Sequence, residues 1–373
     1  MARPSFMGKV IKDVQKSIPG LSYGFNDPKT WLDTGCYALN YLMAGRFEGG
    51  IPLEGKSTMF AGDSGSGKSY ICSANVIKDA QAKGVWPVLI DTENALDEEW
   101  MKALGVDTTE DGMTKYVASK VDDCAAFLST LIENYKADNS SKPYDQRAKM
   151  LIIIDSMGML ITENQEKQFD EGDQKGDLGL KAKQVTNMMR VLTAKIASEP
   201  IGLVFSNHVY DSQDKYKPDA IPGGKMLEFA TSIIVQMNKY LRKEDEFGDS
   251  VAEGKLQLAD GIRSAMVVRK SRYSKPFEKV FVHIPYTSGM DKYSGLIDLF
   301  TMKGLLEKSG TRWQYTSRET GEVFTEFKRN LKESGVLDTI MNERELWEDN
   351  ANPVGFSDMN NVMDPFHDPT KKV

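Results

Sequence analysis

Cysteine is scarce in this 373-residue chain: there are three, Cys36, Cys72 and Cys124, far apart and without zinc-ligand spacing. That scarcity argues against a disulfide framework or a structural zinc and points to a reducing cytoplasm, since isolated cysteines behave as small buried hydrophobes. Long apolar runs are missing as well; none approaches the roughly 20 residues that span a bilayer, so no membrane role is expected. The opening stretch, MARPSFMGKVIKDV, has no apolar segment of secretory-signal length. Nor is there an excess of positive charge. The formal balance of -7 argues against a protein that coats nucleic acid by bulk attraction, so any DNA site has to be a local basic track. What is present, 40% hydrophobic and 27% charged residues, is ordinary for a globular protein. The length exceeds the roughly 100 to 200 residues of one usual domain, and one large domain with small appendages is expected.

Residues 1–30 read as a short arm, with Val10, Val14 and Ile18 at helical spacing in KVIKDVQKSI. From Lys56 onward, apolar runs alternate with longer amphipathic stretches: STMFAG, YICSANVIKDAQAKG, VWPVLIDT, DCAAFLSTLIENY, KMLIIID, KQVTNMMRVLTAKI and IGLVFSNH. Near-continuous apolar strands separated by helices predict the α/β class, a mostly parallel central sheet flanked by helices. The runs ATSIIVQMNKYL, AMVVRKSR and KVFVHIPY follow without long helices between them and predict an antiparallel extension. Past Gly289, GLIDLFTMKGLLEKSG reads as helical and GTRWQYTSRETGEVF as a hairpin. The expected units are an arm at 1–30, a large α/β core at 31–288, a small C-terminal lobe at 289–347 and an acidic tail at 348–373, rich in Asn, Asp and Pro and expected to be disordered.

The segment GDSGSGKS, comprising Gly62, Asp63, Ser64, Gly65, Ser66, Gly67, Lys68 and Ser69, has the pattern of a phosphate-binding loop between a strand and a helix, where that pattern belongs. Its glycines let backbone amides turn toward phosphate oxygens; Lys68 neutralises the β and γ phosphates, and the Ser69 hydroxyl can ligate Mg²⁺. The strand MLIIID ends in Asp155, a carboxylate placed to hold the same ion through water. Asp91 and Glu93 end VWPVLIDTEN, and Glu93 is the candidate base that activates water. The alternative for that pair is a solvated acidic loop.

Taken in order, GDSGSGKS, LIDTENALDEEW, LIIIDS, LVFSNH and PGGKMLEFA resemble the RecA recombinases, and most of all their phage UvsX branch, over about residues 31–305. The resemblance implies a DNA-dependent ATPase that forms a helical filament on single-stranded DNA and pairs it with a homologous duplex in recombination and repair. ATP and Mg²⁺ are the implied cofactors. Mediator and single-strand-binding proteins are implied as further partners, and the cytoplasm, that of a host if the chain is phage-encoded, as the place of action. It assigns water activation to Glu93 and puts Tyr70, Asp97 and Trp100 on the nucleotide, with Tyr286 as an opposite face for the adenine. His208 stands where RecA carries a glutamine that senses the γ phosphate; its alternative is a buried structural histidine. Lys270 and Arg272, in VVRKSRYSKPF, match basic residues that reach the ATP of the adjacent subunit; a surface strand with alternating charges is the alternative. Ring-forming helicases and clock-type ATPases share the phosphate loop and form the rival class.

Two irregular stretches, 162–179 and 209–224, would be long loops, and the resemblance makes them the DNA-binding loops. The second groups Lys215, Tyr216 and Lys217, cations beside an aromatic, and ends in Gly223 and Gly224, whose amides can approach phosphate. The first is acidic, with Glu163, Glu166, Asp170, Glu171, Asp173 and Asp177; Leu178 is its candidate wedge between bases. Lys183 and Arg190 on the following helix supply charge, unless they form only a solvated face. The acidic residues near the C-terminus, Glu343, Glu345, Glu348, Asp349, Asp358, Asp364 and Asp368, either compete with DNA, recruit a basic mediator or merely solubilise the end.

Overall fold

Strands that are apolar at almost every position can be buried only if both of their faces are covered. In a computed structural model, which describes residues 5–17, 27–172, 179–210, 221–222, 224–240, 261–286 and 289–348, one eight-stranded sheet satisfies this at its centre, while its edge strand Thr114–Val117 is largely exposed. Its strands are β1 (Ser57–Gly62), β2 (Val85–Asp91), β3 (Thr114–Val117), β4 (Lys149–Asp155), β5 (Ile201–Asn207), β6 (Ile233–Tyr240), β7 (Gly261–Lys270) and β8 (Lys279–Pro285). The spatial order is β8-β7-β6-β1-β5-β4-β2-β3. All pairs from β6 to β3 are parallel, and β7 runs antiparallel between β6 and β8. Successive residues alternate between two cores: Leu89, Ile153, Val204 and Val235 pack on the face with the helix after the phosphate loop, while Ile90, Ile152, Phe205 and Ile234 pack with Leu192 and Ile196 on the other. The predicted α/β class holds, with one adjustment. The antiparallel extension begins at β7, because β6 pairs in parallel with β1.

Every strand of this sheet except β7 therefore delivers its carboxyl end to one edge, where open α/β sheets bind ligands. At the N-terminal side, the helix Ser5–Ser17 carries the exposed Phe6 and Val10. Among the described residues no helix is long and apolar enough to cross a membrane.

A second, three-stranded antiparallel sheet follows: β9 (Glu307–Ser309), β10 (Arg312–Thr316) and β11 (Val323–Phe327). The hairpin expected there is β10–β11. The helical stretch expected to run on to Gly310 stops at Met302, since Gly304 turns left-handed (φ 66°) and the chain re-enters as β9. A further correction concerns 162–179, where the chain forms a helix at Glu163–Asp170, capped reciprocally by Thr162 and Gln165.

Glu343 is not part of a solvated acidic tail. It is 4% exposed and accepts hydrogen bonds from Tyr315 Oη, Ser317 Oγ and the Arg318 amide, each at 2.6 Å. Burial raises its pKa, but these donors outweigh burial and hold the carboxyl below its ordinary 4.5. Such a group stabilises the fold fully above 4.5 and loses that contribution as pH falls through the lowered folded value. Glu343→Gln is expected to cost about 2 kcal/mol at neutral pH, the worth of charge-assisted bonds to a buried carboxylate, and to flatten the acid limb of stability. Thermal melts across pH 3 to 7 measure both; an unchanged acid limb removes Glu343 as its cause.

Candidate nucleotide and DNA site

The phosphate loop leaves β1 at Gly62 and returns in the helix that begins at Lys68. A Cβ at Gly62 would stand 2.2 Å from the Met237 carbonyl oxygen, so glycine is required for β1 and β6 to run together into the turn. At Gly67 the chain is left-handed (φ 97°), and an added Cβ would strike the Ile284 side chain. Lys68 is held across this turn, its Nζ donating to the carbonyls of Gly62 (2.8 Å) and Asp63 (2.7 Å). Burial lowers its pKa, and the charges of Asp155, Glu93 and Asp63 work against that shift.

Asp155, at the end of β4, is buried and clamped by two serines: Ser73 Oγ donates to Oδ2 at 2.8 Å and Ser206 Oγ to Oδ1 at 2.5 Å. Ser73 lies four residues after Ser69 in the helical segment behind the loop, and Ser206 comes from the neighbouring β5. A carboxylate fixed in this way, with the Ser69 hydroxyl one helical turn before its Ser73 clamp, offers hard oxygen donors of the kind that fit Mg²⁺ held chiefly by phosphate and water. Sequence reasoning missed both clamping serines; the signal was a serine inside the otherwise apolar LVFSN strand.

Three groups meet beside this carboxylate. Ser156 Oγ donates to Glu93 Oε1 at 3.0 Å, and His208 Nε2 lies 3.5 Å from the same oxygen and 3.4 Å from Ser156 Oγ. Thr92 buckles the segment in place: its Oγ1 accepts from the Ser156 amide (2.8 Å) and donates to the Ser156 carbonyl (2.7 Å). Glu93 and His208 are thus brought together, joined by Ser156. Asp91, the other carboxylate of that strand end, is buried and paired with Lys115 at 3.0 Å.

Around the helix after the loop, the Tyr70 and Trp100 rings meet edge-on at 6.1 Å. Asp97 caps the helix Glu98–Ala103, accepting from the Trp100 amide at 2.7 Å. Tyr286 is 54% exposed just past the end of β8, on the same edge of the sheet as the phosphate loop. The following segment returns to the loop's helix, where the Met290 amide donates to Tyr70 Oη at 2.7 Å.

Lys270 lies elsewhere. It ends the antiparallel β7 level with Ile234, which is level with Met59 near the start of β1. Its Nζ donates to the carbonyls of Glu228 (2.7 Å) and Phe229 (3.3 Å), at the end of the helix Gly224–Ala230. Burial, then the nearby Arg272, lowers its pKa. Lys270 and Arg272 therefore sit at the edge of the sheet opposite their own phosphate loop.

Of the expected DNA residues, Lys183 and Arg190 are exposed on the helix Leu180–Ile196, seven residues apart and so on one face. Gly224 opens the helix Gly224–Ala230. Leu178, Lys215, Tyr216, Lys217 and Gly223 lie outside the described residues. A cleft of about 180 Å³ at the base of both stretches is lined by Gly158, Lys181, Asn207, Tyr210 and Pro222, among others. In it, Lys181 Nζ donates to the Gly158 carbonyl (2.6 Å) and Asn207 Nδ2 to the Pro222 carbonyl (2.9 Å).

Residues 30–291 match the family profile described as the RecA N-terminal domain. The chain is 26% identical to the RecA protein of Chlorobium chlorochromatii over 308 residues, 82% of this chain and 78% of that protein. It is similar in the same way to RecA of Chlorobaculum tepidum (27% over 308 residues, 82% and 80%) and of Clostridium acetobutylicum (24% over 321 residues, 84% and 82%).

Proposed function

Because this chain belongs to the RecA family, we propose that it is a DNA-dependent ATPase that polymerises on single-stranded DNA and catalyses homologous pairing and strand exchange. The observation that carries the reading is the meeting of Glu93, Ser156 and His208 on the edge that bears Lys68 and Asp155. In this reading Glu93 orients or deprotonates a water, and His208 registers the γ phosphate through the same cluster. Bound Mg²⁺ supplies charge neutralisation at the phosphates, and Ser69 and Asp155 would hold it. Tyr70, Asp97, Trp100 and Tyr286 are assigned to the adenine side.

DNA and nucleotide are coupled, in this reading, through the turn at Met157–Met159. A Cβ added at Gly158 would lie 3.0 Å from His208 Cδ2, and the Gly158 carbonyl is bonded by Lys181, on the helix that presents Lys183 and Arg190. A shift of His208 would press on that turn and so on the DNA face, along with the segments holding Leu178, Lys215, Tyr216, Lys217, Gly223 and Gly224. The helix Ser5–Ser17, with its exposed Phe6 and Val10, is the proposed link to the next subunit. The UvsX-like motif series supports a phage origin, action in the host cytoplasm, and mediator and single-strand-binding proteins as partners.

The test is one mixture of protein, ATP, single-stranded DNA and homologous duplex, assayed for exchanged strands and imaged by electron microscopy. Open helical filaments with exchange products are expected, and Lys68→Ala is expected to abolish ATP turnover. Closed rings without pairing products would instead make the chain a helicase-like or clock-type ATPase.

A further inference from the structure

The geometry points to Lys239 as a second cation on the nucleotide, supplied by the same subunit and contacting the phosphates that are not transferred. This rests on the reading of the loop as an ATP site. Strand β6 runs beside β1, with Met237 level with Gly62. Lys239, two residues on, stands on the same strand face as Met237, which is the face packed against the loop's helix. That face is apolar through Ile233, Val235 and Met237. It turns polar where the loop begins, with Lys239 directly across from Ser264, whose buried hydroxyl has no partner.

The Lys239 side chain is exposed and runs along the outer turn of the loop. A Cβ built on Gly65 would lie 3.4 Å from its Nζ and 4.0 Å from its Cδ. A lysine stem of that length sweeps several ångströms about its rotatable bonds, so the ammonium has access to an anion seated in the loop. Its side of the loop decides which phosphate it serves. Glu93 and His208 come from β2 and β5, on one flank of β1, while β6 lies on the other flank. The γ phosphate belongs with Glu93 and His208. The cation on β6 therefore falls on the α and β phosphates, which ATP and ADP share.

A charge-assisted contact of this kind is worth on the order of ten-fold in affinity. Binding of ATPγS and of ADP is measured by titration without DNA, for the wild type, Lys239→Ala, Lys239→Gln and Lys239→Arg, with melting temperatures taken alongside. Both neutral variants should weaken the two nucleotides alike, by about ten-fold, and lose part of the salt dependence of binding. Lys239→Arg should recover most of the affinity. In turnover, the effect should fall mainly on KM for ATP and less on kcat. Wild-type affinity in folded Lys239→Ala or Lys239→Gln overturns the inference while leaving the ATP reading intact. The same affinity combined with weaker single-stranded DNA binding also overturns it and moves Lys239 to the DNA track. A wild-type chain that binds neither nucleotide overturns both readings.

Discussion

Glu93→Gln protein is expected to bind ATP about as tightly as the wild type while hydrolysing it roughly 10²- to 10⁴-fold more slowly, the usual worth of a positioned general base. The substitution is nearly isosteric, and the glutamine oxygen can still accept from Ser156 Oγ, as Glu93 Oε1 does at 3.0 Å. The Thr92–Ser156 buckle involves backbone groups and a threonine hydroxyl, so it survives the change. What is lost is the negative charge and the ability to take a proton from water. With binding kept and turnover slowed, ATP-stabilised filaments should persist on DNA far longer than those of the wild type. Equilibrium ATP binding and single-turnover hydrolysis, measured on the same preparation, separate the two effects. If both fell together, Glu93 would be holding Ser156 and His208 in place rather than acting on water.

Much of this site is legible in the sequence because its chemistry is contiguous. The phosphate loop is eight successive residues, Asp155 ends a strand whose apolar run marks it, and Glu93 lies two residues past the end of another such strand. The serines that clamp Asp155 were not legible, since Ser73 and Ser206 come from separate segments and meet the carboxylate only in the folded sheet. Strand direction is lost for a related reason. The run IIVQMNKY says strand, but its parallel pairing is decided by β1, and no pattern within the run encodes it. At Glu163–Asp170 the local signal existed, a threonine followed three residues later by glutamine, and the density of acidic residues and glycines nearby hid it. Glu343 shows the limit of composition: its partners Tyr315 and Ser317 precede it by 28 and 26 residues, too far for any periodicity to reveal.

Mixing two inactive proteins should restore activity if the site is completed by a neighbour. Lys270 is level with Met59, three residues before Gly62, which is roughly 10 Å along the strands, and it lies two strands away, roughly 10 Å more. Its ammonium is turned further away still, onto the Glu228 and Phe229 carbonyls. Reaching its own phosphate loop is therefore beyond a lysine side chain, and Arg272 lies further along the chain past the same strand end. In a head-to-tail assembly in which that edge of one subunit faces the phosphate-loop edge of the next, Lys270 and Arg272 would instead reach the neighbour's ATP, which is the arrangement we propose. Glu93→Gln and Lys270→Ala are each expected to be nearly inactive on DNA. In a random equal mixture, about one quarter of interfaces join an intact Glu93 to an intact Lys270 of the adjacent subunit, and ATPase activity should return to about that fraction. A site completed within one subunit predicts no recovery, because every subunit carries a lesion. Mixed filaments that form without regaining turnover would remove Lys270 from the catalytic set and leave phosphate charge to Lys68 and Lys239 of the same subunit.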